Sequence, residues 1–191
     1  MAYNPRLTDA GMANNPKWYS RQNPFYPSYG LPNCTCYAWG RFWEIADPTG
    51  LSKRPHLPTG NGNQWWGQVI GYQKNTSVPK LGAVICFGGA SPGHVAIVEE
   101  IKDNGNTIVT SNSDWKGRYF YLETLTRRSD GKFRHPHKTK LYLSQGFIYN
   151  PYADQNPSPS PSPTPTPSGK TKSSKKFPWP VAWEHWDNFK A

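Results

Sequence analysis

Cys34 is the residue whose type and position most directly suggest chemistry in this 191-residue chain. Pro32 and Asn33 end the preceding segment and can cap a helix, and residues at helical spacing follow: Tyr37, Ala38, Arg41, Phe42 and Ile45. The sequence therefore predicts a helix that begins at or next to Cys34. In a first helical turn, unpaired backbone N–H groups and the positive end of the helix dipole favour the thiolate, the form of cysteine that attacks. The alternative is that Cys34 is a small buried apolar residue.

His94 is the candidate base for that thiol. It follows a Pro92-Gly93 turn and opens an alternating apolar run, so it is predicted to start a β-strand. About 60 residues separate the cysteine from the histidine, and catalytic pairs of this kind meet in the fold rather than in the sequence. The first residue of a strand can present its ring at the edge of a sheet.

Asn112 and Asp114 are candidates for a third catalytic member. They lie near the end of a strand predicted over residues 108–115, and alternation places both side chains on one face. One of them could accept a hydrogen bond from the far ring nitrogen of His94 and hold the imidazole in the tautomer that serves the thiol. Strand position alone does not choose between them.

Five short blocks that contain these residues occur in order along the chain. Together they resemble a CHAP domain, the cysteine- and histidine-dependent amidohydrolase/peptidase family, over residues 31–151. The blocks are Cys34–Arg41, Gly60–Trp65, Pro79–Phe87, Gly93–Glu99 and Ser111–Trp115. The resemblance implies an α+β, papain-like fold, in which a helix that bears the nucleophile packs on an antiparallel sheet that bears the histidine.

The resemblance also implies roles for the candidate residues. Cys34 attacks an amide carbonyl, His94 takes its proton and gives it to the leaving amine, and the Cys34 N–H supplies part of the oxyanion hole. In the family the orienting position is often Glu followed two residues later by Asn, whereas here Asn112 comes first and Asp114 second. Position in the motif favours Asn112, and charge stabilisation of an imidazolium favours Asp114. We rank Asn112 first and keep both.

The family includes N-acetylmuramoyl-L-alanine amidases and peptide-bridge endopeptidases, both of which hydrolyse amide bonds of peptidoglycan. The resemblance therefore implies a peptidoglycan hydrolase, and the pocket loops decide which bond is cut. Two rival classes stay open. One is a non-catalytic wall-binding or virion-structural module on the CHAP fold, and the other is an intracellular papain-like peptidase that acts on proteins.

The remaining elements are predicted from periodicity and turns. A second helix is predicted over residues 63–74, and strands are predicted over residues 83–88, 94–102, 106–111, 118–126 and 146–150. Asn104-Gly105 is a strong hairpin signal between the second and third of these strands. The resulting meander brings His94 and Asn112 onto neighbouring strands, the geometry that a base and its orienting residue require.

Residues 1–30 are predicted to form an aromatic arm before a catalytic domain of residues 31–152. Prolines break the arm, and its aromatic side chains either line the substrate groove or only cover the core. Tyr29 of the arm, together with Trp65 and Trp115 of the domain, is a candidate for substrate contact. No Asp or Glu occurs in residues 23–32, so the calcium loop that some CHAP enzymes carry there is not predicted.

The three cysteines are not predicted to form a structural disulfide. Cys34 and Cys36 lie too close together on one helix to bridge easily, and Cys86 lies in an apolar strand. Cys36 is interpreted as a helix residue that faces the core rather than as a catalytic or metal-binding residue. No cofactor is predicted.

Residues 127–140 are predicted to be an extended, solvated basic loop. His135 and His137 suggest a metal site there, but no Cys or carboxylate pattern accompanies them. The chain has a formal net charge of +10, which attracts polyanions. Nothing resembles a helix-turn-helix, a zinc finger or an aromatic RNA-binding motif, so nucleic acid is not a predicted partner. The favoured partners are the peptidoglycan and anionic polymers of a Gram-positive wall.

Residues 153–176 are predicted to be a linker, because a Pro-Ser and Pro-Thr run favours polyproline II and a Lys-rich segment follows it. Residues 177–191 form a short aromatic tail that is too small to build its own core. The tail is interpreted as a docking peptide for a wall polymer, a membrane surface or a virion protein, or else as a disordered end. The sequence does not predict an oligomeric state.

The expected setting follows from the same features. No apolar run approaches the ~20 residues needed to cross a bilayer, and residues 1–10 lack the apolar region of a secretory signal. A lytic wall enzyme with this organisation resembles a bacteriophage product. The first expectation is an endolysin that stays in the host cytoplasm until a holin opens the membrane. The second is a tail-associated lysin carried in the virion.

Overall fold

Helix α1 spans Cys34–Ala46 and begins where the sequence predicts a helix. The computed structural model describes residues 3–10, 12, 17–137 and 139–153, so that, apart from Ala153, the predicted linker and tail lie outside the described residues. Asn33 caps the helix, because its side-chain oxygen accepts hydrogen bonds from the Cys36 N–H at 2.9 Å and the Thr35 hydroxyl at 2.6 Å. The cap fixes the first turn and with it the position of Cys34.

Helix α2 spans Gly62–Gln68 and is shorter than predicted. The expectation of a helix through residue 74 is wrong, because Val69 already has an extended backbone and Gly71 has a φ of 81°. A left-handed glycine after an extended residue does not continue a helix. Lys74–Asn75 form the short strand β1 instead.

Within the described residues, seven strands form one antiparallel sheet in the order β1-β7-β2-β3-β4-β5, and β6 also pairs with β7. The predicted α+β, papain-like fold is confirmed. Neither helix in this part of the chain is long and apolar enough to span a membrane. The strands after β1 are β2 Val84–Gly88, β3 His94–Lys102, β4 Thr107–Asn112, β5 Tyr121–Thr126, β6 Arg134–His135 and β7 Tyr142–Ile148.

The hairpin between β3 and β4 forms at the predicted Asn104-Gly105 turn. Asn104 and Gly105 have φ angles of 53° and 87°, the left-handed conformation that these residue types accommodate most readily. The strands pair in antiparallel register, with Ile97 opposite Ser111. The first residue of β3 and the last residue of β4 therefore lie side by side at the same end of the sheet.

Helix α1 packs its apolar face on the sheet. Trp39, Phe42 and Trp43 of the helix share one buried cluster with Val84 of β2 and Val95 of β3. Burial of side chains of this size contributes roughly 1.5–3 kcal/mol each relative to leaving them exposed. The packing holds the N-terminal end of the helix against the end of the sheet where β3 begins.

The N-terminal arm covers part of this core. Tyr19 and Phe25 are each 3% exposed and belong to the same buried cluster as the face of α1. Gly40 makes the contact possible, since a Cβ at this position would lie 2.5 Å from both the Trp18 carbonyl oxygen and the Tyr19 ring. Any larger residue at position 40 would push the arm away from the helix.

A buried ion pair joins helix α1 to strand β3. Arg41 donates from Nε to Glu99 Oε1 at 3.0 Å and from Nη2 to Oε2 at 3.1 Å. The two side chains are 6% and 0% exposed, so each charge is shielded from water and depends on the other. The hydroxyl of Ser111 on β4 donates to Glu99 Oε1 at 2.7 Å.

The arm is tied to the same carboxylate. The Tyr3 hydroxyl donates to Glu99 Oε2 at 2.6 Å, and the Arg6 N–H donates to that oxygen at 2.8 Å. The Arg6 side chain also pairs with Glu44 on α1. Arm, helix and two strands therefore converge on the Glu99 carboxylate.

The solvated loop predicted over residues 127–140 is exposed at 128–130, 132, 134, 136 and 139, but a short half-buried strand interrupts it. Phe133 and His135 are 0% and 3% exposed, and Arg134–His135 form β6, which pairs with β7. The Arg127 guanidinium donates to the backbone carbonyls of Gly131 and Gly105. The buried, exposed, buried alternation of residues 133–135 is that of a half-buried strand.

We expect Glu99→Gln to lower the free energy of unfolding by about 3 kcal/mol, because Arg41 then stays buried without this counter-charge. Glu100→Gln is the matched control on the same strand. Its carboxylate is 31% exposed and pairs with Lys102, so its loss should cost about 0–1 kcal/mol. Urea denaturation measures both variants, and equal small losses would contradict the stabilising role of the Glu99 ion pair.

Candidate active site

A cavity of about 1000 Å³ lies at the end of the sheet where β3 begins and β4 ends. Its walls include Cys34, the first residue of α1, and His94, the first residue of β3. Tyr29 from the arm, together with Asp114 and Trp115 after β4, completes the part of the lining that the sequence singles out. The fold therefore brings the predicted thiol and the predicted base to one cavity.

Asn112 is the candidate that contacts His94. Its side-chain oxygen lies 3.0 Å from His94 Nε2, and both residues are buried. The Asn112 amide nitrogen donates to the Thr110 carbonyl at 2.9 Å and to the Thr110 hydroxyl oxygen at 3.0 Å. The Thr110 hydroxyl in turn donates to the Glu123 carbonyl at 3.3 Å, so its lone pair is left to accept from Asn112.

This network fixes the tautomer of His94. Both hydrogens of the Asn112 amide are directed to Thr110, so the amide oxygen must face the ring. That oxygen can only accept a hydrogen bond, and His94 Nε2 must therefore carry the proton. The lone pair of the neutral imidazole is then on Nδ1. That nitrogen can take a proton from a thiol, while Asn112 holds the ring orientation.

Asp114 does not contact His94. Its two carboxylate oxygens accept from the Tyr121 hydroxyl at 2.6 Å and from Arg118 Nε at 3.2 Å. Asn112 is the last residue of strand β4. Asp114 lies beyond that end, where the chain turns away from the start of β3. Of the two candidates left open by the sequence, only Asn112 is placed to orient the ring.

Cys34 is half-buried and forms no disulfide. Burial raises the pKa of the Cys34 thiol to about 11, although the backbone N–H groups of Val95 and Thr35 donate to the sulfur and lower it. The structure thus differs from the sequence expectation of a thiolate favoured by the helix start. Removal of water outweighs the donors of the first helical turn. The thiol needs a base to become a nucleophile at neutral pH.

His94 is suited to be that base. Burial lowers the pKa of His94, and this outweighs the Asn112 hydrogen bond and the Asp114 charge, which both raise it. The ring is therefore neutral at pH 7 and has a free lone pair on Nδ1. Cys34 and His94 form a neutral pair in the resting protein, and the proton moves as the sulfur attacks.

The N-terminal end of α2 holds the backbone of His94 in place. Gly93 has a φ of 75°, and a Cβ there would lie 2.5 Å from the Asn63 nitrogen and 2.6 Å from the Phe87 carbonyl oxygen. A Cβ on Gly62 would lie 3.0 Å from the His94 carbonyl carbon. The Asn63 N–H donates to the Pro92 carbonyl at 3.0 Å. Gly62 and Gly93 thus allow the backbones of the two segments to lie in close contact beside the base.

The three aromatic candidates for substrate contact are placed differently. Tyr29 and Trp115 both line the cavity, with their rings edge to face at 5.1 Å, and are 41% and 52% exposed. Trp65 is 0% exposed, packs on Phe25 and donates from Nε1 to the Gly60 carbonyl at 3.0 Å. Trp65 is therefore a core residue that supports the loop before α2, and a direct contact with substrate is not possible there.

Sequence reasoning did not assign His135, Tyr121 or Arg118 to the site. Arg118 and His135 line the cavity, and the Tyr121 hydroxyl contacts both Asp114 and His135. The alternation of residues 133–135 was the available signal for a buried His135. Within the described residues, no three His, Cys, Asp or Glu side chains are grouped as a metal site requires.

Comparison with known proteins agrees with this geometry. The sequence profile of the CHAP domain family matches residues 13–114, a segment that includes Cys34, His94 and Asn112. A relative named "Probable autolysin LDP" from Staphylococcus aureus (strain NCTC 8325 / PS 47) is 30% identical over 111 residues, which are 57% of this chain and 37% of the relative. The chain therefore spans little more than a third of that relative. The family profile covers more than half of this chain, and the chain therefore belongs to the CHAP domain family.

Proposed function

We propose that this protein is a peptidoglycan hydrolase that cleaves an amide bond of the bacterial cell wall by a Cys34–His94 mechanism. The observation that carries the proposal is the hydrogen bond between Asn112 and His94 Nε2, made at the cavity that Cys34 lines. It leaves the basic nitrogen of a neutral histidine available to a thiol.

The reaction proceeds in two steps. Cys34 Sγ attacks the amide carbonyl carbon as its proton passes to His94 Nδ1, and the imidazolium then protonates the leaving amine as the C–N bond breaks. The acyl group is held as a thioester on Cys34. A water molecule, deprotonated by His94, attacks the thioester and releases the acid and the free thiol. The Cys34 N–H opens the first turn of α1, where no helical carbonyl can accept from it, and can donate to the oxyanion.

The choice of substrate is supported by three observations. The relative from Staphylococcus aureus is named as an autolysin. The chain has a net charge of +10, which favours association with the anionic polymers of a Gram-positive wall. Tyr29 and Trp115 give the cavity an exposed aromatic rim on which a large polymeric substrate can rest. The scissile bond is either the N-acetylmuramoyl-L-alanine amide or a peptide bond of the cross-bridge.

We expect Cys34→Ala to abolish turnover of purified Gram-positive cell walls while the melting temperature stays within a few degrees of the parent. Cys36→Ala is the matched control, since Cys36 is fully buried two residues along the same helix, and we expect it to affect stability more than turnover. Loss of wall turbidity measures the activity. Lysis by the Cys34 variant would contradict the mechanism and favour a wall-binding module whose lytic activity comes from elsewhere.

Mass spectrometry of the digested muropeptides identifies the bond in the same experiment. Free stem peptides indicate an amidase, and split cross-bridges indicate an endopeptidase. Cleavage of an unfolded protein without any release from peptidoglycan would instead support the intracellular peptidase class.

We expect Asn112→Ala to lower kcat on the order of a hundredfold, because the His94 ring loses the partner that fixes its orientation. Thr110→Val removes only the hydroxyl that orients the Asn112 amide, and we expect about a tenfold loss in kcat with little change in KM. Thr107→Val is the matched control at the opposite end of the same strand. Steady-state kinetics on solubilised wall fragments separate kcat from KM. Equal kinetics for the two threonine variants would contradict the role of Thr110.

We also propose that the enzyme is a phage endolysin that is held in the host cytoplasm until holin-mediated release, with a tail-associated lysin as the alternative. The predicted Lys-rich segment and the aromatic tail after it would serve as an anchor to a wall polymer in the first case and to a virion protein in the second. Quantitative proteomics of purified virions is the measurement. We expect peptides spanning Cys34 and His94 to be absent, and their presence in stoichiometric amount would contradict the endolysin role.

A further inference from the structure

His135 lies directly against the proposed catalytic base. The ring centroids of His135 and His94 are 4.1 Å apart with an interplanar angle of 31°, so the two imidazoles pack closely with their planes tilted. His135 is 3% exposed and sits on β6, outside the segment that the family profile matches. The mechanism above does not use this residue.

A hydrogen-bonded chain connects the far side of His135 to a carboxylate. The Tyr121 hydroxyl donates its one proton to Asp114 Oδ1 at 2.6 Å. The Tyr121 hydroxyl oxygen lies 3.1 Å from His135 Nε2. Since its proton goes to Asp114, Nε2 must be the donor and Tyr121 the acceptor. The tautomer of His135 is therefore fixed by the Asp114 carboxylate, just as that of His94 is fixed by Asn112.

His135 remains neutral in this position. Burial, and after it the neighbouring His94, His137 and Arg118, lower the pKa of His135 to about 2. Its Nδ1 is buried and accepts no hydrogen bond from the part of the chain that the structure describes. The ring thus offers His94 an uncharged π-face whose N–H is polarised towards a negative charge.

We propose that His135 is a positioning residue that stabilises the His94 imidazolium formed when His94 takes the Cys34 proton. Asn112 orients the base and its hydrogen bond favours the charged ring, but the amide carries no negative charge to balance the imidazolium. A cation over a neutral aromatic face is stabilised, and donation from His135 to Tyr121, and from Tyr121 to Asp114, increases the electron density of that face. This inference rests on the Cys34–His94 chemistry of the proposed function.

Other groups around His94 set the background for this effect. Asp114 favours the charged ring, while Arg118 and His137 disfavour it. The titratable and charged groups that face the cavity from each packed element are Cys34 on α1, Asp114 and Arg118 between β4 and β5, His135 on β6, His137 and Lys140 between β6 and β7, and Tyr142 on β7.

Alkylation of Cys34 by iodoacetamide, followed against pH, tests the proposal without any wall substrate. Cys36 and Cys86 are fully buried, so labelling in the folded protein reports on Cys34. Tyr121→Phe and His135→Phe keep an aromatic ring in each place but break the chain to Asp114. His135→Leu removes the stacked face as well. If His135 stabilises the imidazolium, each variant should label more slowly at the pH optimum, by about three- to thirtyfold, with His135→Leu the slowest.

The direction of the pH shift separates this role from simple space filling. Loss of a partner that favours the imidazolium lowers the pKa of His94, so the acid limb of the labelling profile should move to lower pH in all three variants. Tyr149→Phe is the matched control, because its hydroxyl bonds the Val78 carbonyl and does not line the cavity. A wild-type profile in Tyr121→Phe and His135→Phe would overturn the proposal. So would slower labelling with an unmoved acid limb.

The labelling experiment is independent of the substrate assignment. If the parent labels rapidly and the variants shift as expected, but no wall is hydrolysed, the proposed substrate fails and the role of His135 stands. If walls are hydrolysed and the profiles do not shift, the role of His135 fails and the proposed function stands. Melting temperatures of all variants identify any that do not fold, and Tyr121→Phe, the smallest change, then provides the deciding profile.

Discussion

The placement of the site depends on the buried ion pair between Arg41 and Glu99. Arg41 lies two helical turns after Cys34, and Glu99 lies five residues after His94 on the strand that carries the base. A shift of the helix by one turn along the strand would break this pair and leave Glu99 buried without its arginine, at a cost of several kcal/mol, although Arg41 would keep Glu44 on its own helix. Apolar packing alone tolerates such a shift more easily, since Leu-sized side chains can repack. The ion pair therefore sets the register that brings thiol and imidazole to one cavity.

The proposed catalytic base, His94, is influenced by two residues, Asn112 and Asp114. Asn112 supplies geometry, and its own orientation is fixed by Thr110 and not by charge. Asp114 supplies the charge but reaches His94 only through space and through the chain of Tyr121 and His135. Orientation and electrostatics are thus separated, which explains why neither the motif position nor the charge argument alone could identify a single third member.

The sequence was informative where a residue's role follows from its local surroundings. Asn33 before Cys34 is a helix cap, and a Pro-Gly turn before His94 starts a strand, so both positions follow from short-range rules. The role of His135 depends on a pairing between β6 and β7 and on a stack against a strand some 40 residues earlier, for which no local pattern exists. Trp65 failed as a substrate contact for the same reason, because burial is a property of the assembled fold.

The contacts of the N-terminal arm bear on how such a domain can be exchanged between proteins. The family profile begins at residue 13, yet Tyr3 and Arg6 donate to the Glu99 carboxylate on which the register of helix and strand depends. A chimaera that is joined at the profile boundary would delete these donors while keeping Trp18 and Tyr19, which cover the helix at Gly40. Fusion partners therefore belong ahead of Tyr3, because the contacts that hold the domain together begin before the segment that the family profile matches.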